Sequence, residues 1–171
     1  WIRVERIIAT DNRIHHIPEG ICEMPNLIEL DLERNTLRTL PEAFIICTSL
    51  TRLRFDTSDM VKASPAEDLP DGVRRCEIPA EIAICGVEEI INHCFKMHEA
   101  WSTCKLDLSG YGLRHLMDDV CMLTVLTKLD LRQNRLKFLP SLLTNLKELK
   151  SVNLDENYKL EHFHHDIYSM T

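Results

Sequence analysis

Apolar residues along the chain return in a fixed phrase. Leu27, Leu30 and Leu32 lead to Asn35, Leu37, Leu40 and Pro41; Leu126, Leu129 and Leu131 lead to Asn134, Leu136, Leu139 and Pro140. Both segments fit L-x-x-L-x-L-x-x-N-x-L-x-x-L-P at every defined position. With the second apolar residue as a marker, the series runs Ile7, Leu30, Leu53 and then Leu106, Leu129, Val152, and every step inside each run is 23 residues. A period of that length marks stacked supersecondary units. Each phrase opens with alternation, as in Leu30-Asp31-Leu32, so the two leucines of a short strand point one way and the residue between them the other. Apolar residues late in the repeat, such as Phe44 and Leu50, are expected to pack inward from the opposite wall. One repeat cannot bury its own face, so the units must stack. Asn12, Asn35, Asn134 and Asn157 each fall five residues after a marker, where a side-chain amide can satisfy backbone groups that the turn leaves open.

The period breaks between Leu53 and Leu106, and the asparagine slot holds Ser58 before the gap and Tyr111 after it. Residues 64–72 read as a turn-rich loop. Val73-Arg-Arg-Cys76-Glu-Ile78 repeats the spacing around Leu53 and predicts a further strand near 76. From Val87 to Trp101, the residues Val87, Ile90, Ile91, Cys94, Phe95 and Trp101 recur at three and four, which predicts an amphipathic helix over 87–101. The resulting organisation is 1–63 with strands near 7, 30 and 53; an irregular repeat over 64–101; and 102–171 with strands near 106, 129 and 152. A continuous stack with an irregular helical repeat is the preferred arrangement, and a break into two rigid bodies is the alternative.

These motifs resemble the leucine-rich-repeat family. The 23-residue step and Leu-Pro endings are similar to its intracellular Ras-group class, the Erbin-like scaffolds. The resemblance implies an α/β fold, a right-handed solenoid or horseshoe with a parallel β-sheet on its concave face. The run 78–91 is also similar to the segment that closes leucine-rich arrays in Roco-type kinases. Here a further array follows it, which departs from that order.

Composition narrows the functional classes. Hydrophobic residues make up 44% and charged residues 27% of 171 residues, an ordinary globular composition. A formal charge of −7 disfavours a nucleic-acid backbone as partner. The seven cysteines are odd in number and form no Cys-x-x-Cys pair, no Asn-x-Ser/Thr sequon occurs, and paired-cysteine caps are missing. That combination points to a reducing, cytoplasmic setting. Cys47 aligns with Met24, Leu123 and Leu146 and is expected to be a small core hydrophobe. No membrane span is apparent. The chain opens on Trp1 and reads as a fragment, with ends expected to be covered by flanking sequence or another subunit.

Chemistry is sparse. No Gly-x-Ser-x-Gly or phosphate loop occurs, and there are only five glycines. Asp118 and Asp119 read as turn carboxylates. The tract Glu161-His162-Phe163-His164-His165-Asp166 offers metal-ligand types, but it lacks an i, i+4 histidine pair. It reads as a solvated edge, as do His15 and His16. No catalytic, metal or cofactor site is assigned, and an enzyme is not expected.

What remains is the strand face. The slot before each marker holds Arg6, Glu29, Arg52, Lys105, Lys128 and Ser151; the slot after it holds Ile8, Asp31, Arg54, Asp107, Asp130 and Asn153; two residues further stand Thr10, Glu33, Asp56, Ser109, Arg132 and Asp155. The expected partner-binding residues are therefore Glu29, Asp31, Glu33, Arg52, Arg54, Asp56, Lys105, Asp107, Lys128, Asp130, Arg132 and Asp155. The face is mixed in charge, acidic near Asp31 and Glu33 and basic at Arg52 and Arg54, and it suits a folded protein partner. For a single Asp in such a strand, local hydrogen bonding is the competing role. The leading functional reading is a recognition module of a larger scaffold or signalling protein. The alternative is a docking domain of a Roco-type kinase or ubiquitin ligase. A secreted repeat protein would need cysteine caps or a leader.

Overall fold

In a computed structural model of the chain, residues 2–37, 39–56, 75–76 and 78–161 are described. Among the described residues eight strands and three α-helices follow one another: β1 (Arg6–Ile8), β2 (Glu29–Asp31), β3 (Leu40–Pro41), β4 (Arg52–Arg54), β5 (Arg75–Cys76), α1 (Ala80–Ala83), α2 (Val87–Thr103), β6 (Lys105–Asp107), α3 (Asp118–Cys121), β7 (Lys128–Asp130) and β8 (Ser151–Asn153). Short 3-10 turns at Glu19–Ile21, Glu42–Ile46 and Ser141–Asn145 complete the returning segments. Each of these turns follows a proline at its N-cap, in extended backbone with ψ of 144 to 150, where the missing N–H breaks no hydrogen bond of the turn. Two compact units result, Trp1–Phe95 and Lys96–Thr171.

In the first unit β1, β2 and β4 form a parallel sheet, with Ile7 opposite Leu30 and Leu30 opposite Leu53. In the second, β6, β7 and β8 do the same, pairing Leu106 with Leu129 and Leu129 with Val152. The 23-residue step read in the sequence is therefore the register of both sheets. The strand near 76 forms, but it runs antiparallel to β3, with Cys76 opposite Leu40, and does not extend the ladder past β4. The strands thus make two three-stranded ladders and one two-stranded ladder. The loop over 64–72, Ser58 and the histidine tract beyond Glu161 lie outside the described residues.

The core repeats with the sequence. Counting from Leu30, the residues Leu32, Leu37, Leu40, Phe44, Cys47 and Leu50 are all buried; counting from Leu106, so are Leu108, Leu113, Leu116, Val120, Leu123 and Leu126. The same offsets from Leu129 bury Leu131, Leu136, Leu139, Leu143 and Leu146. Each such side chain contributes on the order of 1.5–3 kcal/mol, and only neighbouring repeats provide the surface that covers it. Cys47 is buried in its leucine slot and shares a thiol–thiol hydrogen bond with Cys22. That bond, with burial, pushes the Cys22 thiol far above its ordinary range, so this thiol stays protonated.

The helix runs two residues beyond the expected end and buries a face that shares only Ile90 and Cys94 with the expected one. Ile90, His93, Cys94, Met97 and Ala100 are buried, whereas Phe95 is 48% exposed. Spacings of three and four hold for the buried set, so the period was read correctly but its phase was partly misplaced by Phe95. Gly86 precedes the helix at φ +106, a conformation that favours glycine. Glu88 and Glu89 stand in the first turn, where carboxylates suit the helix dipole. Cys104, at φ 56, ends the helix and donates its N–H to the Ala100 carbonyl at 3.0 Å.

Candidate functional site

The turns that follow β2, β6, β7 and β8 are built the same way. Asp31, Asp107, Asp130 and Asn153 each accept, through Oδ1, the backbone N–H two residues on, from Glu33 (3.1 Å), Ser109 (2.9 Å), Arg132 (3.0 Å) and Asp155 (3.1 Å). Next comes a left-handed residue: Asp11, Arg34, Gly110, Gln133 and Glu156 all have φ between 55 and 76. A buried asparagine then ties the turn to its neighbour. Asn134 donates to the carbonyls of Leu108 (2.8 Å) and Leu131 (2.9 Å) and accepts the Leu113 N–H at 2.9 Å. Asn35 and Asn157 repeat the pattern, taking the N–H groups of Ile14 and Leu136. Asn12, in the first repeat, is exposed and reaches only the nearby carbonyls of Ala9 and Thr10. Where Tyr111 replaces asparagine, Gly110 and Gly112 flank it, both with positive φ.

These turns hold the polar strand positions outward, since the marker residues between them point into the core. The first sheet presents the columns Arg6–Glu29–Arg52 and Ile8–Asp31–Arg54. Charge alternates there, and the neighbours use it. Glu29 Oε2 accepts Arg6 Nε at 2.7 Å and lies 3.9 Å from Arg52; Asp31 Oδ2 accepts an Arg54 guanidinium N–H at 3.1 Å. The glutamate and aspartate side chains are only 5% and 8% exposed, against 66%, 67% and 52% for Arg6, Arg52 and Arg54. The surface offered to solvent is thus arginine, with its acids submerged beneath.

Asp56 also turns inward on the chain, its Oδ2 taking the backbone N–H of Arg34 at 2.6 Å. Arg34 in turn holds Asp11 in a two-point contact, and this hydrogen bonding keeps the Asp11 carboxyl below its ordinary value. Glu33 remains half-buried at the sheet's margin.

The second sheet carries the columns Lys105–Lys128–Ser151 and Asp107–Asp130–Asn153. They floor a groove of about 530 Å³, walled on one side by Lys96, Glu99 and Thr103 of α2. Burial pushes the Asp107 carboxyl up, but the Ser109 hydroxyl and N–H, with Lys96 and Arg132 nearby, outweigh it and hold it below the ordinary value. Asp130 pairs with Arg132 at 3.1 Å. The Lys96 ammonium stands 4.7 Å from the centre of the Tyr111 ring, a cation–π contact that fixes the wall against the turn. Asp155 is exposed beyond Asn153.

The expected site residues therefore separate into two groups. Arg52 and Arg54 gather on one sheet, and Lys105, Asp107, Lys128 and Asp130 on the other, with Arg132 and Asp155 at its margin. Glu29, Asp31 and Asp56 are engaged within the chain. Arg6, Lys96 and Glu99 were not among the expected residues. Arg6 could have been found from its slot before Ile7, whereas α2 gave no hint in sequence that it walls a groove. Among the described residues no group of three or more His, Cys, Asp or Glu side chains could hold a metal, and no helix is long and apolar enough to cross a membrane.

Comparison with known proteins gives matches to parts of the chain. Residues 2–57 match one leucine rich repeat family model and residues 125–146 match another, so these segments are leucine-rich repeats. No curated protein matches the chain. A leucine-rich-repeat protein of Leptospira interrogans is similar in structure, at 23% identity over 93% of this chain and 38% of that one, with a TM-score of 0.39. The chain thus spans well under half the length of that protein.

Proposed function

We propose that the chain is a non-catalytic protein-binding module, part of a larger intracellular scaffold or signalling protein of the Ras-group class, whose strand faces line the concave side of a right-handed solenoid and hold a partner protein. Leucine-rich repeats generally mediate protein–protein interaction, which makes this the natural function of such segments. The observation that carries the reading is the pair of outward strand columns. Their backbone is fixed by in-register ladders and asparagine-tied turns, yet their arginine and lysine heads stay in solvent. A rigid support with exposed polar and cationic groups lets a partner bind without paying for loop ordering. Arginine is also favoured at the energetic centres of protein interfaces.

The test is a photo-crosslinking side chain placed at position 52 or 128, with position 84 or 158 as controls, in cells expressing the protein. Adducts to a discrete protein are expected from 52 and 128 and not from the exposed control positions. Equal labelling at all four, or labelling only at the controls, contradicts the reading.

A further inference from the structure

Equivalent columns in the two sheets are balanced differently. In the first sheet the slot before the marker reads Arg6–Glu29–Arg52, so each arginine has an acid beside it. In the second it reads Lys105–Lys128–Ser151. The two lysines are paired in register, which places them one strand spacing apart, about 4.8 Å. Like charges directly opposite one another across strands destabilise a sheet. Both lysines are exposed, and among the described residues no carboxylate lies within ion-pair distance of either. Of the acids lining the groove, Asp107 takes two hydrogen bonds from Ser109, Asp130 holds Arg132, and Glu99 on the wall forms no ion pair with either lysine. The Lys105–Lys128 column therefore has an unfilled place for negative charge, bordered by hydrogen-bonding groups on Thr103 and Ser151.

We propose that this groove takes a carboxylate-rich stretch of a partner's chain, with adjacent acidic side chains bridging Lys105 and Lys128; the inference rests on the protein-binding reading above and adds the chemistry of the partner. An extended segment fits an open trough that crosses three parallel strands, and acidic side chains relieve the repulsion between the paired ammonium groups.

The test uses the full 171-residue chain and fluorescein-labelled hexaglutamate, hexalysine, hexaserine and phosphoserine-containing peptides, read by fluorescence anisotropy at low and high salt. Hexaglutamate is expected to bind in preference to the others and to weaken with salt. The double variant Lys105→Gln/Lys128→Gln, checked for unchanged circular dichroism, is expected to bind it roughly tenfold more weakly. Lys147→Gln, at an exposed lysine outside the strand columns, is expected to change nothing. Equal binding by the double variant overturns the proposal, as does preference for hexalysine, hexaserine or the phosphopeptide. Loss of hexaglutamate preference with photo-crosslinking at position 52 intact rejects the acidic partner and leaves protein binding standing. Loss of crosslinking rejects the underlying reading.

Discussion

The side-chain amide of Asn134 donates to the carbonyl of Leu108, 26 residues earlier, at 2.8 Å. With its acceptor on the Leu113 N–H and a second donated bond to Leu131, this one buried side chain closes the turn of its own repeat and fastens it to the one before. Asn134→Ala leaves those backbone groups buried and open, at a cost of about 1–3 kcal/mol per group left unsatisfied. Asn12→Ala, at the exposed end of the series, is expected to cost less than about 0.5 kcal/mol. Urea unfolding of the two variants measures the contrast; similar losses would mean that the ladder does not bind repeats together.

The residue before each asparagine adopts a left-handed conformation that L side chains resist. Gln133, at φ 55, makes only weak contacts with Glu156, at 3.3–3.4 Å. Gln133→Gly is therefore expected to raise stability by roughly 0.5–1 kcal/mol, because the left-handed penalty of about 1–2 kcal/mol exceeds the entropy that glycine adds to the unfolded chain. Gly110→Ala is expected to lower it by about 1 kcal/mol for the converse reason. Thermal melts of both decide the matter.

Glu29 illustrates how cations and acids on the first sheet differ in weight. Its carboxylate is 5% exposed, and Arg6 and Arg52 are the groups that compensate it. Removing both cations with Arg6→Ala/Arg52→Ala is expected to destabilise by about 2–3 kcal/mol, since it strands a buried charge. Glu29→Leu, which removes that charge and adds apolar surface, is expected to be within about 1 kcal/mol of the parent. Chemical denaturation of the three proteins tests the order.

Asp107 gives the second unit an acid-sensitive element. Its carboxyl lies below the ordinary value in the folded state, so its contribution is present above the unfolded carboxylate pKa and is lost as pH falls through the lower folded value. Asp107→Asn is expected to be less stable than the parent near neutral pH, with the difference shrinking as pH drops below about 4. The group is largely exposed, so the effect is small. Unfolding midpoints across pH 2–7 reveal it, and a difference that grows on acidification would contradict the assignment.

The repeat step, the strand positions and the ladder role of Asn35, Asn134 and Asn157 were legible in sequence because each is a local pattern repeated at one interval. The fate of Glu29 and Asp31 was not. Both sit in strand slots that look solvent-facing, and their burial comes from arginines 23 residues away on adjacent strands. The pairing of Cys76 with Leu40 was hidden for a related reason. The spacing around Cys76 matches a repeat strand, but spacing does not fix which neighbour a two-residue strand chooses. In α2 the apolar count favoured Phe95 over His93 and Ala100, residues whose burial follows from helical phase and not from hydrophobicity. The groove was invisible because it joins a helix to strands across a turn, at Cys104, that no motif announces.

Strands aligned at a 23-residue offset decide which side chains share a column. Through-hydrogen-bond scalar couplings in the isotopically labelled protein measure that alignment atom by atom. The account predicts correlations from the Leu32 amide to the Arg54 carbonyl, from Leu108 to Asp130 and from Leu131 to Asn153. Correlations displaced by one residue would turn the leucines outward and the charged columns inward, and would contradict it.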